Sequence, residues 1–530
     1  MFHYRALFNS LMKPKSVYGL FFLALTASYL SLSPGAILGM GYTQENATAS
    51  NQIISNLGYW VRLQPAQIAI SWPRHGLFEL LFEMPFLMVA HLFFGTSEVW
   101  ADRILSLQPV LITSLLCTVI LVWARRITSS LTWGYVLAMI AALSTMLWPY
   151  AYIGLETTQS LFVLLSGYLA LGSDSRRTWP HALLFAFSCG FAVGVKSNGI
   201  FLAPAIAFLC LVYARGKSPN ADLKTIDWKK IGAVVVIIIV LYELSAYTRH
   251  LSPTWSAGTL NTFRVFSAGG PVKTAFNALA LVGSANKGLL VYCPVLIIAL
   301  LGLRTAYSKN AQLVIFASLT LAGLVGGCSL IFFYADETWG PRYLHSAIAP
   351  LFICLAASKQ SIRFRLRKEL PLITLAVLGV AISFLGAFYY YGAMHQAATR
   401  TGQDTIEALQ NDPNWNHIRF NLLLLQVWNR GGTEPAPWAP TRHWWYEQPP
   451  DAPPLKTINL RDLAAPQPSL VRGWAVEKSG SYGVVWYVYL GSFLLGIPLL
   501  VWLGFVAWRQ EVVNGKAKLG ESLIAESIST

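Results

Sequence analysis

Hydrophobic residues in this chain fall into thirteen long runs, at about 17–33, 77–95, 104–124, 131–150, 157–172, 180–195, 199–214, 231–248, 288–303, 311–333, 344–357, 370–391 and 485–507. Polar residues are mostly confined to the stretches between them. The runs repeatedly reach about 18 to 22 residues, the length an α-helix needs to cross the hydrocarbon core of a bilayer. The pattern predicts an all-α polytopic membrane protein.

Composition supports this. Only 12% of the 530 residues are charged and 55% are hydrophobic, with a mean hydropathy of +0.50. Soluble domains carry roughly 25% charged residues, so this chain could not cover a water-facing surface. The net charge of +15 would suit a nucleic-acid partner, but its placement excludes one. The basic residues sit in short segments between apolar runs, such as Lys359, Arg363, Arg365, Arg367 and Lys368, and no soluble face combines them with interleaved aromatics. The six cysteines lie in or beside apolar runs without metal-ligand spacing, and read as small core-filling residues.

Charge also sets the topology. Suppose that the N-terminus, with Arg5, Lys13 and Lys15, is cytoplasmic. If run 77–95 does not cross, Arg125–Arg126, Arg176–Arg177, the 215–230 and 304–309 segments, the 359–368 cluster and the tail with Arg509, Lys516 and Lys518 all fall inside. If it does cross, those after it fall outside. Short inner loops hold the positive charge, which selects the first arrangement. Run 77–95 also carries Glu79, Glu83, Pro85 and His91, costly on a lipid-facing span. It is therefore expected to be an interfacial or re-entrant helix on the outer side. About twelve spanning helices remain, with both termini inside. Residues 1–33 are not expected to be a cleaved signal peptide: the apolar stretch is long and Ser33-Pro34-Gly35-Ala36 is a poor cleavage site.

The expected organisation is a transmembrane domain over 1–391, with a long first outer loop at about 34–103. An outer-face extramembrane segment follows at 392–484, then a last transmembrane helix at 485–507 and a cytoplasmic tail at 508–530. The 392–484 segment is rich in Pro, Trp and Asn, as in Pro435-Ala-Pro-Trp438-Ala-Pro440 and Trp444-Trp445-Tyr446. Its aromatics suit anchoring at the interface, with lining of a carbohydrate site as the alternative. There is no clear inverted repeat of the kind that marks many transporters.

With sides assigned, the outer face collects Glu45, Arg74, His75, Glu79, Glu156, Lys196, Glu243, Lys287, Asp336, Glu337 and Arg342. Carboxylates and cations gathered at one face suit general-base chemistry combined with binding of an anionic group. The carboxylates could serve with a divalent metal or with none. In Tyr334-Ala-Asp-Glu-Thr-Trp-Gly-Pro-Arg-Tyr-Leu344, the Gly340-Pro341 pair sets a tight turn and puts Arg342 just outside the membrane core. There a guanidinium can hold a phosphate through two hydrogen bonds.

Trp339-Gly-Pro-Arg-Tyr-Leu344 resembles the "GPRYL" segment of bacterial GT-C glycosyltransferases, polytopic enzymes that use polyprenyl-phosphate sugars. They include the protein O-mannosyltransferase and lipid A aminoarabinose transferase group. Lys287-Gly-Leu-Leu-Val-Tyr-Cys-Pro-Val295 resembles their "GLLVYSP" segment, and Tyr152-Ile-Gly-Leu-Glu156-Thr-Thr-Gln resembles their third-to-fourth helix junction. The similarity runs from about 17 to 395, and interfacial helices between the first two spans are part of the same pattern. The resemblance implies transfer of a sugar from a polyprenyl-phosphate donor to an acceptor glycan, lipid or protein at the periplasmic face of a bacterial inner membrane. Such enzymes usually carry an Asp in the first outer loop. This chain has no Asp before Asp102, and Glu45 is the carboxylate in a comparable place. The resemblance then implies Glu45 as catalytic base and Arg342, Lys287, Arg74 and Lys196 as donor-phosphate ligands. His75, Glu79, Glu156, Asp336, Glu337, Trp339 and Tyr343 would line the acceptor pocket, where Glu156, Asp336 and Glu337 could instead bind a metal. A secondary transporter and a non-catalytic assembly subunit are the alternatives.

Overall fold

The computed structural model describes residues 14–33, 52, 77–95, 98–152, 154–173, 178–215, 228–250, 270–331, 339–360, 364, 366–389, 392–401, 415–429, 437–438, 457–464 and 483–529. These residues form a helical membrane bundle. Six helical stretches, Arg103–Thr128, Asn198–Arg215, Trp228–Thr248, Ala311–Leu330, Leu370–Phe388 and Tyr487–Val512, are long and apolar enough to cross a bilayer, and six shorter apolar helices accompany them.

In chain order, α1 is Pro14–Ser31, α2 Leu77–Phe94, α3 Glu98–Leu105 and α4 Leu107–Thr128. The next run is broken into α5 Leu131–Leu143 and the single turn α6 Leu147–Tyr150. Then come α7 Leu155–Gly167 with a π-turn to Gly172, α8 Trp179–Gly194, a 3₁₀ segment Ser197–Leu202 leading into α9 Ala203–Arg215, and α10 Trp228–His250. α11 is Gly270–Gly283, an element not expected from the apolar runs. The run at 288–303 is divided into α12 Leu289–Tyr292, α13 Leu296–Leu301 and α14 Leu303–Lys309, the first break falling at Pro294. α15 is Ala311–Ile331, α16 His345–Ser358, α17 Leu370–Phe388, α18 Gly392–Thr401 and α19 His417–Asn429. Two residues at Pro437–Trp438 pair antiparallel with Ile458–Asn459 as β1 and β2. α20, Gly483–Ser529, continues as helix through the tail.

Local chemistry sets the reversals. α4 stops at Ser129, which takes a left-handed φ of 56°, and Ser130 then caps α5 by accepting a hydrogen bond from Trp133 N at 3.1 Å. This two-residue hairpin lies at the basic end of the bundle. There Arg125 donates to Tyr18 OH (2.5 Å), Ser130 donates to Glu511 (2.9 Å), and Lys309 donates to the carbonyls of Ser358 and Gln360. Lys359 pairs with Glu369 and lies over Trp133, whose ring meets Phe364. At the opposite end, Tyr29 OH donates to Ala142 O and Tyr152 OH to Tyr29 O.

α1 therefore runs from the basic end, at Tyr18, to the other end, at Tyr29. α4 runs back, with Gln108 beside Gly154 at its start and Arg125 at its finish. The chain leaving α1 and the chain entering α4 are at the same end of the bundle. Between them α2 leans on α7 and α8 through a Phe78, Phe82, Phe162 and Phe191 cluster, and Leu77 N donates to Thr248 of α10.

The first and last helices pack along one another, with Gly496 against Ala24 and Ser28, and α20 is further bonded to α5 through Tyr135 OH to Leu500 O and Thr132 to Ala507 O. A Cβ on Gly496 would stand 2.6 Å from Ser28 N and 2.9 Å from Ala24 O. Gly496→Leu is therefore expected to destabilise the bundle by about 1–3 kcal/mol, measured as a lowered thermal midpoint in lipid.

Candidate functional site

At the end opposite the basic loops, three separate junctions bring charged side chains together. The first is the start of α7. Gly154 takes φ +101°, which only glycine adopts easily, and turns the chain so that Glu156 stands in the first helical turn. A carboxylate is favoured there by the helix dipole. The second is Lys196, in extended backbone between α8 and the 3₁₀ segment. The third is the Gly340-Pro341 turn, where Gly340 has φ +62° and delivers Arg342 and Tyr343 at the start of a 3₁₀ turn.

Lys196 Nζ donates to Glu156 Oε1, and Arg342 Nε lies 3.9 Å from the same oxygen. The Arg342 guanidinium also donates to Tyr343 OH at 2.9 Å. The Tyr343 ring faces both cations, with Lys196 Nζ 5.0 Å and the Arg342 guanidinium carbon 4.8 Å from its centroid. Glu156 is 3% exposed and Lys196 2%, so each charge depends on the other for its solvation. Glu156 precedes the apolar run of its helix. Burial works against its charge, but Lys196 and Arg342 outweigh burial and hold the carboxyl below its ordinary range. Among the described residues two cations meet on this one carboxylate. Arg342, with 10% of its side chain exposed, is the most accessible of the three charges.

A ring of neutral polar residues supports this cluster. Ser160 Oγ donates to Glu156 O (2.7 Å), lies 2.7 Å from His345 Nδ1 and 3.2 Å from Ser346 Oγ. Gln159 bonds Ala192 O, Asn198 and Ser346. Together these fasten α7, α8, the 3₁₀ segment and α16. None was singled out from sequence. The available signal was spacing: Gln159 and Ser160 follow Glu156 by three and four residues, and His345 and Ser346 stand in the same relation to Arg342.

Of the other expected site residues, Lys287 is buried in a turn at Ser284–Gly288, where its N–H donates to Ser284 Oγ at 3.1 Å. Trp339 is fully buried, edge-on to Tyr292 (5.2 Å) and beside His417 (5.9 Å), with its indole against Gly386. It packs the Gly340-Pro341 turn from beneath. Glu79 lies on α2, and its side chain is outside the described residues, as are Glu45, Arg74, His75, Asp336 and Glu337. Glu243 is exposed on α10 and takes no part in the cluster. Among the described residues no three His, Cys, Asp or Glu side chains are grouped to hold a metal.

A buried carboxylate that pre-orders two cations can receive an anionic oxygen group, since a phosphate brought to Arg342 and Lys196 meets guanidinium and ammonium donors already in place. No protein-family model and no curated protein matches the sequence. Among solved structures the chain is similar to ArnT from Cupriavidus metallidurans in the apo state, with 14% identity, a TM-score of 0.43, and coverage of 91% of this chain and 75% of that one. It is similar also to the same protein bound to undecaprenyl phosphate, with 14% identity, a TM-score of 0.45, and coverage of 93% and 78%. At this level of similarity neither neighbour assigns a residue or a substrate to this chain.

Proposed function

We propose that the chain is a membrane glycosyltransferase that moves a sugar from a polyprenyl-phosphate donor to an acceptor at the periplasmic face of a bacterial inner membrane. The observation that carries this reading is the Glu156–Lys196–Arg342 cluster at the end of the bundle opposite the basic loops. Those loops mark the cytoplasmic side by their charge. The contacts at the two ends support about twelve crossings with both termini inside and α2 left on the outer side.

In this reaction Glu45 takes the proton from the acceptor group as the acceptor atom attacks the anomeric carbon. The bond from that carbon to the phosphate oxygen breaks, and the lipid phosphate leaves with the electron pair. Arg342 and Lys196 neutralise the departing oxygen, with Lys287 and Arg74 contributing from the flanking segments. Asp336, Glu337, Glu79 and His75 shape the acceptor side. The position of Glu243 outside the cluster favours this reading over a transporter with an ionisable site in mid-membrane.

The test is a binding and turnover assay in lipid with a panel of polyprenyl-phosphate sugars. Arg342→Ala is expected to weaken donor binding by about tenfold or more, as loss of a charge-assisted hydrogen bond of roughly 1.5–3 kcal/mol implies. Glu45→Gln is expected to bind donor normally and lose turnover. Unchanged turnover in Glu45→Gln rejects that residue as the base, and a folded wild type that binds no member of the panel rejects the whole reading.

A further inference from the structure

The helix α19 belongs to the stretch after residue 391, yet the residues at its start reach the turn that bears Lys287 and the residue that precedes the Arg342 turn. Asn416 uses both ends of its amide. Its Oδ1 accepts from Arg419 N at 3.0 Å, capping α19, while its Nδ2 donates to Ala285 O in the turn that bears Lys287. The next residue, His417, is fully buried with its ring against Trp339, which directly precedes the Gly340-Pro341-Arg342 turn. Tyr292 closes the loop. Its ring meets Trp339 and Gly340, and its hydroxyl donates to Asn286 O at 2.8 Å. One turn further along α19, Asn421 donates to Leu385 O of α17 at 3.0 Å, so the helix is anchored to the bundle.

We propose that Asn416 and His417 are positioning residues for the anion site: they lock the Lys287 turn and the Arg342 turn into one unit, so that the two cations are held at a fixed spacing. This rests on the proposed roles of Arg342 and Lys287 as ligands of the donor phosphate. Neither side chain touches the phosphate. Asn416 acts through the backbone of 284–288 and His417 through Trp339. Because a site and the element that orders it are linked reciprocally, loosening α19 weakens anion binding, and bound anion protects both turns.

The experiment uses the full chain in lipid with undecaprenyl phosphate as the probe, reading its Kd and amide hydrogen exchange over 284–288 and 339–344. Asn416 is only half-buried, so Asn416→Ala is expected to fold, raise the Kd about fivefold and speed exchange at the Lys287 turn. His417→Ala is expected to raise the Kd about tenfold and speed exchange at the Arg342 turn. His417→Phe, which keeps a ring against Trp339, is expected to restore wild-type binding. In turnover the alanine variants raise the donor KM and leave kcat unchanged. Wild-type Kd and exchange in both alanine variants overturns the proposal. If wild type itself does not bind the probe, the phosphate reading fails on its own account. The clamp is then judged by exchange alone: faster exchange at both turns upholds it, and unchanged exchange removes it.

Discussion

Replacing Lys196 by methionine is expected to abolish turnover and to lower stability by about 3–5 kcal/mol, because it strands Glu156 as a buried anion. The remaining cation offsets only part of the loss. Arg342 is 3.9 Å from the carboxylate oxygen and its guanidinium is already engaged with Tyr343 OH. The stability loss and the activity loss have different origins and separate in a double variant. Lys196→Met combined with Glu156→Gln removes both members of the pair, so the thermal midpoint should recover most of the loss while donor binding stays absent. A double variant no more stable than Lys196→Met would show that the pair is not what holds α7 to the 3₁₀ segment. Full turnover in Lys196→Met would remove the lysine from the anion site.

Gly340→Ala should be nearly as damaging, for steric reasons. The residue sits at φ +62°, and an added Cβ would lie 2.6 Å from Met146 Sδ and 2.9 Å from the Tyr292 ring. Left-handed backbone and overpacking together cost about 2–4 kcal/mol. The turn can relieve this only by shifting Arg342, two residues on, so donor affinity is expected to fall by more than tenfold. Adding Met146→Ala clears space for the new methyl but cannot change the φ requirement. Partial recovery of the midpoint in that double variant is the expected result, and no loss of affinity in Gly340→Ala would show that Arg342 is not held by this turn.

The helices were legible because length and apolar continuity are local properties. Each of the thirteen runs corresponds to described helix, and the breaks within them follow residues visible in the sequence, such as Ser144-Thr145 after α5 and Cys293-Pro294 before α13. α11 was missed because Lys273, Thr274 and Asn277 interrupt a short segment that is not a continuous apolar run. Glu156, Lys196 and Arg342 were named individually from their places at helix ends, and Tyr343 from the family resemblance. Their convergence was not readable, since Glu156 and Lys196 are separated by the whole of α7 and α8. The support from Gln159, Ser160, Asn198, His345 and Ser346 was hidden because serine, asparagine and glutamine within apolar runs look like tolerated polar residues until their partners are known. α19 was read as part of a separate outer segment. Its attachment depends on Asn416 and Asn421 finding carbonyls on distant elements, which no local pattern announces.

The packing of α1 on α20 also has a consequence for biosynthesis. α1 obtains one of its main neighbours only when α20 has been made. At about 5–20 residues per second, translation of the intervening chain takes on the order of half a minute to a minute and a half. Throughout that time the Ala24 and Ser28 surface that Gly496 finally covers faces lipid or the insertion machinery. A chain that stops before α20 would leave that α1 surface uncovered. Supplying α20 as a separate polypeptide would let the two pieces meet in the bilayer, where preformed helices associate by packing, so maturation of this bundle would be limited by the arrival of α20.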